Sequence, residues 1–89
     1  MLSANLRDVK IKCRKFRNAG YATGMINRKN GENIAISIKI SEVDKFLAKN
    51  GEYCEIDINL ENEIIKTSIT EVQRHNIVHN VINIDLREI

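Results

Sequence analysis

The chain has 89 residues, 43% hydrophobic and 29% charged, a balance that excludes wholesale disorder and allows one modest core. It holds no proline, no tryptophan and 4% aromatics, so that core rests on isoleucine, valine and leucine, which suit a pleated, half-buried surface. The net charge is +2, but residues 1–30 carry eight Lys/Arg against one acid (+7) and residues 31–89 carry −5, which points the first third toward a polyanion.

In chain order, Leu2 to Arg7 reads as a short strand. Residues 8–19 are the basic segment, and their spacing is ambiguous. Val9, Ile11 and Cys13 alternate with Lys10, Lys12 and Arg14 as in an extended chain, whereas Cys13 and Phe16 have helical spacing. The segment is assigned as a basic loop ending in a short helix. Gly20 to Asn27 reads as a strand, Asn30-Gly31 as a hairpin turn, and Asn33 to Ile40 as the partner strand with Ile34, Ile36, Ile38 and Ile40 on one face.

Ser41 then offers a helix cap with Asp44 three residues on, and Val43, Phe46 and Leu47 form an apolar stripe. A helix over about 42–49 follows, ended by a left-handed cap at Asn50-Gly51. Tyr53 to Leu60 alternates strictly, with Cys54, Ile56, Ile58 and Leu60 inward. After a turn at Glu61-Asn62-Glu63, Ile64 to Arg74 forms a long strand with Ile65, Thr67, Ile69 and Glu71 on one face. Its pattern flips near Val72, which suggests a bulge. Residues 75–80 are a loop, and Val81 to Arg87 is the last strand, with Ile82, Ile84 and Leu86 inward and Val81, Asn83, Asp85 and Arg87 outward. The fold class is all-β with a minor helical part: a closed six-stranded β-barrel with one or two short helices, since closure removes exposed sheet edges. Residues 1–89 are expected to form a single domain.

Cys13 and Cys54 stand far apart in unrelated contexts and read as reduced thiols, as expected of a cytoplasmic chain. No apolar run approaches the roughly 20 residues that span a bilayer, and Met1-Leu2-Ser3 begins no signal region.

Arg7, Lys10, Lys12, Arg14, Lys15 and Arg17 are candidates for phosphate pairing, arginine being able to do this bidentately and to stack on bases. The alternative for all six is solvated charge. Thr70, Asn83 and Asp85 are short polar side chains facing outward, suited to the shallow minor groove of an RNA helix; an aspartate accepts from a guanine amino group or a 2′-hydroxyl. Gln73 and Arg74 are candidates on either account, contact or structure, and Arg74 has a carboxylate across the barrel as its structural alternative. His75 and His79 have metal-ligand spacing only on a helix; in a loop with no third ligand nearby they are not assigned a metal. No nucleophile–base set assembles and no glycine loop cradles phosphate, so no enzyme, cofactor or small-molecule substrate is expected.

Glu71-Val72-Gln73-Arg74-His75, a spacer, and Ile84-Asp85-Leu86 resemble the closing strands of a family of large-subunit ribosomal proteins that bind 5S rRNA (the twenty-fifth large-subunit protein, whose longer relatives are called general stress protein Ctc). That family shows Val-Gln-Arg-His, a loop, then His-Ile-Asp-Phe. Arg14-Lys15-Phe16-Arg17 stands where the family has Arg-Arg-Leu-Arg. Ile34-Ala35-Ile36 and Ser41-Glu42-Val43 stand where it has a strand and the start of its helix. The likeness runs collinearly over nearly the whole chain and is to the short form, without an additional C-terminal domain.

Departures are also visible. Ala22-Thr23 replace Phe-Pro, Asn27 matches a strand tyrosine, His75-Asn76 replace His-Pro, Asn83 replaces a histidine, and Val9-Lys10-Ile11-Lys12-Cys13 replace a Gly-Lys-Gly-Ala-Ser tract. The resemblance implies a ribosomal protein that binds 5S rRNA in the large subunit, with Asn27, Gln73, Arg74, Asn83 and Asp85 joining the basic segment as contacts. It implies no membrane and a monomer off the ribosome. The alternative is a barrel that has kept the fold but serves as a stress-response or protein-interaction module; copurified nucleic acid separates the two.

Overall fold

A computed structural model of the chain describes residues 2–75, 77 and 81–89. These form β1 (Leu2–Leu6), α1 (Cys13–Asn18), β2 (Tyr21–Asn27), β3 (Asn33–Lys39), α2 (Ile40–Asn50), β4 (Glu55–Leu60), β5 (Glu63–Arg74) and β6 (Val81–Glu88). The strands close into the expected six-stranded barrel, in the order β1-β3-β2-β6-β5-β4. Antiparallel pairing joins β1 to β3, β2 to β3, β4 to β5 and β5 to β6, and two parallel seams complete the wall, β1 on β4 and β2 on β6.

Each strand sends alternate residues inward. Ile26, Ile36, Ile38, Ile58, Ile65, Ile84 and Leu86 are almost fully buried, and side chains of this size each contribute about 1.5–3 kcal/mol on burial. Thr67 lies among them, its hydroxyl donating to the Ile56 carbonyl at 2.8 Å, which offsets the cost of burying a polar group. Gly24 is needed where β2 meets β6: a Cβ built there would run into the Ile84 carbonyl oxygen.

α2 presses Val43 and Leu47 into the core, with Phe46 packed against it. It starts earlier than its stripe predicts. Lys39 occupies the cap position and no side chain caps the helix, so Ser41 falls inside the first turn, and Asp44 faces Arg74 instead. Gly51 ends the helix with φ 88° and ψ 171°, a positive-φ but extended conformation rather than a left-handed cap. Glu61 and Asn62 both take positive φ, 49° and 68°, giving the two-residue loop whose twist matches a hairpin.

Two bulges alter the facing read from sequence. Ile69 pairs with Leu86 and Glu71 with Asp85, so Thr70 is an extra residue on β5. The flip anticipated near Val72 therefore occurs at Thr70, and Glu71, assigned to the inner face, is exposed. Gln73 pairs with Asn83 and Arg74 with Val81, so Ile82 is extra on β6. Val81, assigned outward, is consequently buried, and Ile82, assigned inward, is half-buried.

Candidate nucleic-acid interface

The basic segment turns into α1 at Lys12, whose extended backbone precedes the helix. α1 has no acidic residue in its first turn and places Lys15 and Arg17 in its last, beside the carbonyl end of the helix, where cations are favoured. It packs against the outer side of β2. Lys10, Lys12, Arg14 and Lys15 are exposed, and Arg17 is partly so.

Arg7 has a different setting. Its Nε donates to the Ile36 carbonyl at 3.2 Å, one Nη to the Gly24 carbonyl at 3.4 Å and the other to Cys13 Sγ at 3.4 Å. The side chain ties the end of β1 to β3, β2 and the first turn of α1. Cys13 and Cys54 are both free thiols.

The parallel β2–β6 seam places the polar candidates one strand from this helix. Thr23 pairs with Asn83 and Met25 with Asp85. On the other side of β6, Gln73 pairs with Asn83 and Glu71 with Asp85. The Asn83 amide donates to Asp85 Oδ1 at 3.2 Å, so both side chains share the outer face, as residues two apart on a strand must. The bulged Thr70 is exposed and donates its hydroxyl to the Asp85 carbonyl at 3.1 Å. Gln73 is exposed and donates to Glu71 at 3.2 Å. The result is a strip of hydrogen-bonding groups on β6 and β5, one strand away from a cationic helix.

The remaining candidates lie at its margins. Asn27 is exposed and opposite Arg87, on the same face as Thr23 but about 13 Å farther along β2, at ~3.3 Å per residue. Arg74 sits at the upper rim, bonding Glu52 at 3.0 Å and facing Asp44 at 3.8 Å, so it links β5 to both ends of the α2 region. His75 Nδ1 accepts from the Ile77 amide at 3.1 Å. His79 lies outside the described residues.

Two features escaped the sequence. Arg28, counted with the basic third, binds Glu63 and Glu88 at 3.0 and 3.2 Å across the lower end of the barrel. Those carboxylates, Glu88 foremost, raise its pKa above the ordinary arginine value, and Arg28 in turn holds the Glu88 carboxyl below the usual carboxylate range. Thr23 is nearly buried, yet its hydroxyl reaches the Asn83 amide oxygen at 3.0 Å. Nothing in the local sequence signals that contact, because it depends on strands 60 residues apart lying parallel.

Among the described residues no helix is long and apolar enough to cross a membrane, and no group of three or more His, Cys, Asp or Glu could hold a metal ion. A search of curated proteins found no match. A scan against protein-family models matches the Ribosomal L25p family over residues 2–86. That span takes in the basic segment, both parallel seams and the β5–β6 strip, so the match covers the architecture as well as the candidate surface. The chain belongs to the Ribosomal L25p family, a family of ribosomal proteins.

Proposed function

We propose that this protein binds 5S rRNA in the large ribosomal subunit, in the cytoplasm, and acts by binding rather than by catalysis, residues 1–89 serving as one RNA-binding barrel. The observation that carries the reading is the arrangement created by the β2–β6 seam, which sets α1, with exposed Arg14 and Lys15, one strand from the Asn83–Asp85–Thr70 strip, the exposed Lys10 and Lys12 leading into that helix. Cations pair with phosphates and position the RNA, while short polar groups read a minor groove that is wide and shallow in A-form helices. Ribosomal family membership supports an rRNA partner. The resemblance of the 71–86 segment to proteins that bind 5S rRNA supports that particular RNA and its irregular loop.

The candidates divide by role. Lys10, Lys12, Arg14, Lys15 and Arg17 contact phosphate. Thr70, Gln73, Asn83 and Asp85 contact the groove, and Asn27 extends the surface at its far end. Arg7 and Arg74 hold the frame, since their guanidinium groups already have partners within the barrel.

A gel-shift titration of 5S rRNA against a scrambled duplex at ~150 mM salt, near physiological ionic strength, tests the reading. Tighter binding of 5S rRNA is expected. Equal affinity for both would remove the specific claim.

A further inference from the structure

We propose that Thr23 is a positioning residue that fixes the orientation of the Asn83 amide and so sets the donor–acceptor pattern offered to RNA. The inference rests on the RNA-binding reading above. Thr23 is 2% exposed and lies directly across the parallel seam from Asn83. Its hydroxyl is 3.0 Å from Asn83 Oδ1 and 3.3 Å from the Ile82 carbonyl. A hydroxyl carries one proton, so it serves one acceptor at a time, and the amide oxygen is the nearer.

The other end of the amide meets Asp85, with Nδ2 3.2 Å from Oδ1. A carboxylate accepts and cannot donate. The amide therefore has two distinct neighbours, a donor on its oxygen and an acceptor on its nitrogen. Turning it over would set its oxygen against the carboxylate and lose the threonine proton. Held as it is, Asn83 keeps a second N–H and Asp85 a second oxygen for a ligand. A donor beside an acceptor complements the minor-groove edge of guanine, which presents the N3 acceptor next to the 2-amino donor. Without the threonine hydroxyl the amide oxygen lacks that donor, and the side chain turns outward for another, breaking the pair.

The test uses a synthetic duplex carrying the irregular loop of 5S rRNA, its guanines replaced one at a time by inosine, which lacks only the 2-amino group. The native protein should lose at least about fivefold in affinity at one position, the lower end of what such contacts discriminate. Thr23→Val should bring that ratio to within about twofold of unity, with the melting temperature and salt slope unchanged, and Thr23→Ser should restore it. In the free protein, NMR should find the Asn83 side-chain proton bonded to Asp85 slow to exchange in the native and Thr23→Ser forms and fast in Thr23→Val. A native guanine-to-inosine ratio in Thr23→Val, or failure of Thr23→Ser to restore it, would overturn the proposal alone. So would an equal loss for both RNAs that tracks a lowered melting temperature. Absence of any binding by the native protein would instead overturn the RNA reading on which it rests.

Discussion

Arg28, in the turn after β2, and Glu88, at the end of β6, are joined by two hydrogen bonds, Nε to Oε1 at 3.3 Å and Nη2 to Oε2 at 3.2 Å. The pair closes the lower end of the parallel seam whose upper part holds Thr23 and Asn83. Glu88 also accepts from the Lys29 amide at 2.9 Å, and Arg28 takes Glu63 as a second partner. One of the cations that makes the first third of the chain basic is thus part of the frame.

This pair should make stability acid-sensitive. Arg28 holds the Glu88 carboxyl below its ordinary range, so the folded state binds that proton less readily than the unfolded chain. The contribution is fully present above the unfolded carboxylate value and is lost as pH falls through the lower folded value. The raised value of Arg28 lies beyond any working pH and adds no titration there. The melting temperature should fall below the ordinary carboxylate range, and Glu88→Gln should flatten part of that fall. An unchanged acid profile in Glu88→Gln would remove the pair from the stability account.

Gly24→Ala should be the most damaging small substitution in the wall. The added Cβ meets the Ile84 carbonyl, which is backbone and cannot rotate away. Overpacking of this kind costs about 3 kcal/mol, the upper end of its usual range. In a chain of this size that is roughly a 12–24 °C drop in melting temperature. Thermal unfolding followed by circular dichroism measures it, and a drop under about 4 °C, equivalent to 1 kcal/mol or less, would mean the seam can open without cost.

The strands, the hairpin turns and the position of α2 were legible because a period-two isoleucine pattern, the turn signals at Asn30-Gly31 and Glu61-Asn62, and the Val43, Phe46 and Leu47 stripe all act locally. Closure of the six strands followed from edge avoidance, whereas their order, with its two parallel seams, did not. What was not legible is what long-range pairing decides. Glu71 and Val81 point opposite to their alternation because Thr70 and Ile82 are each unopposed in the β5–β6 ladder. Arg7 looks like one more cation of the basic run until β1 ends beside the Gly24 and Ile36 carbonyls. The Asn83–Asp85 pair, by contrast, was readable, since two-residue spacing on one strand fixes a common face.

Arg7 and Arg14 should separate stability from binding. Arg7→Ala removes bonds to two strand carbonyls and should cost about 1–2 kcal/mol of stability. Arg14 is exposed on α1, and Arg14→Ala should leave the melting temperature nearly unchanged. If the contacts in residues 10–17 are to phosphate, log affinity should fall with log salt at a slope of about −3 to −5, and Arg14→Ala or Arg17→Ala should each reduce it by about one. A flat slope in the native protein would mean that this segment does not touch the RNA backbone.

Asp85→Ala distinguishes groove reading from charge. Asp85 accepts from Asn83 through its side chain and from Thr70 through its carbonyl, so the backbone bond survives the substitution while the carboxylate is lost. A surface that binds by charge alone should hold RNA more tightly once a negative group is gone. A surface that reads hydrogen-bond donors should lose about 1–3 kcal/mol, because the RNA group facing Asp85 is left without an acceptor. The two accounts differ in sign, so a titration with 5S rRNA decides between them without a fitted model. Folding must hold for the comparison, and Asp85 is only half-buried on the outer face while Ile84 beside it is 1% exposed. Ile84→Asp should therefore unfold the barrel and abolish binding of every RNA, whereas Asp85→Ala should melt near the native temperature. Tighter binding by a folded Asp85→Ala protein would leave α1 and the basic loop as the contact and withdraw the β6 strip from the interface.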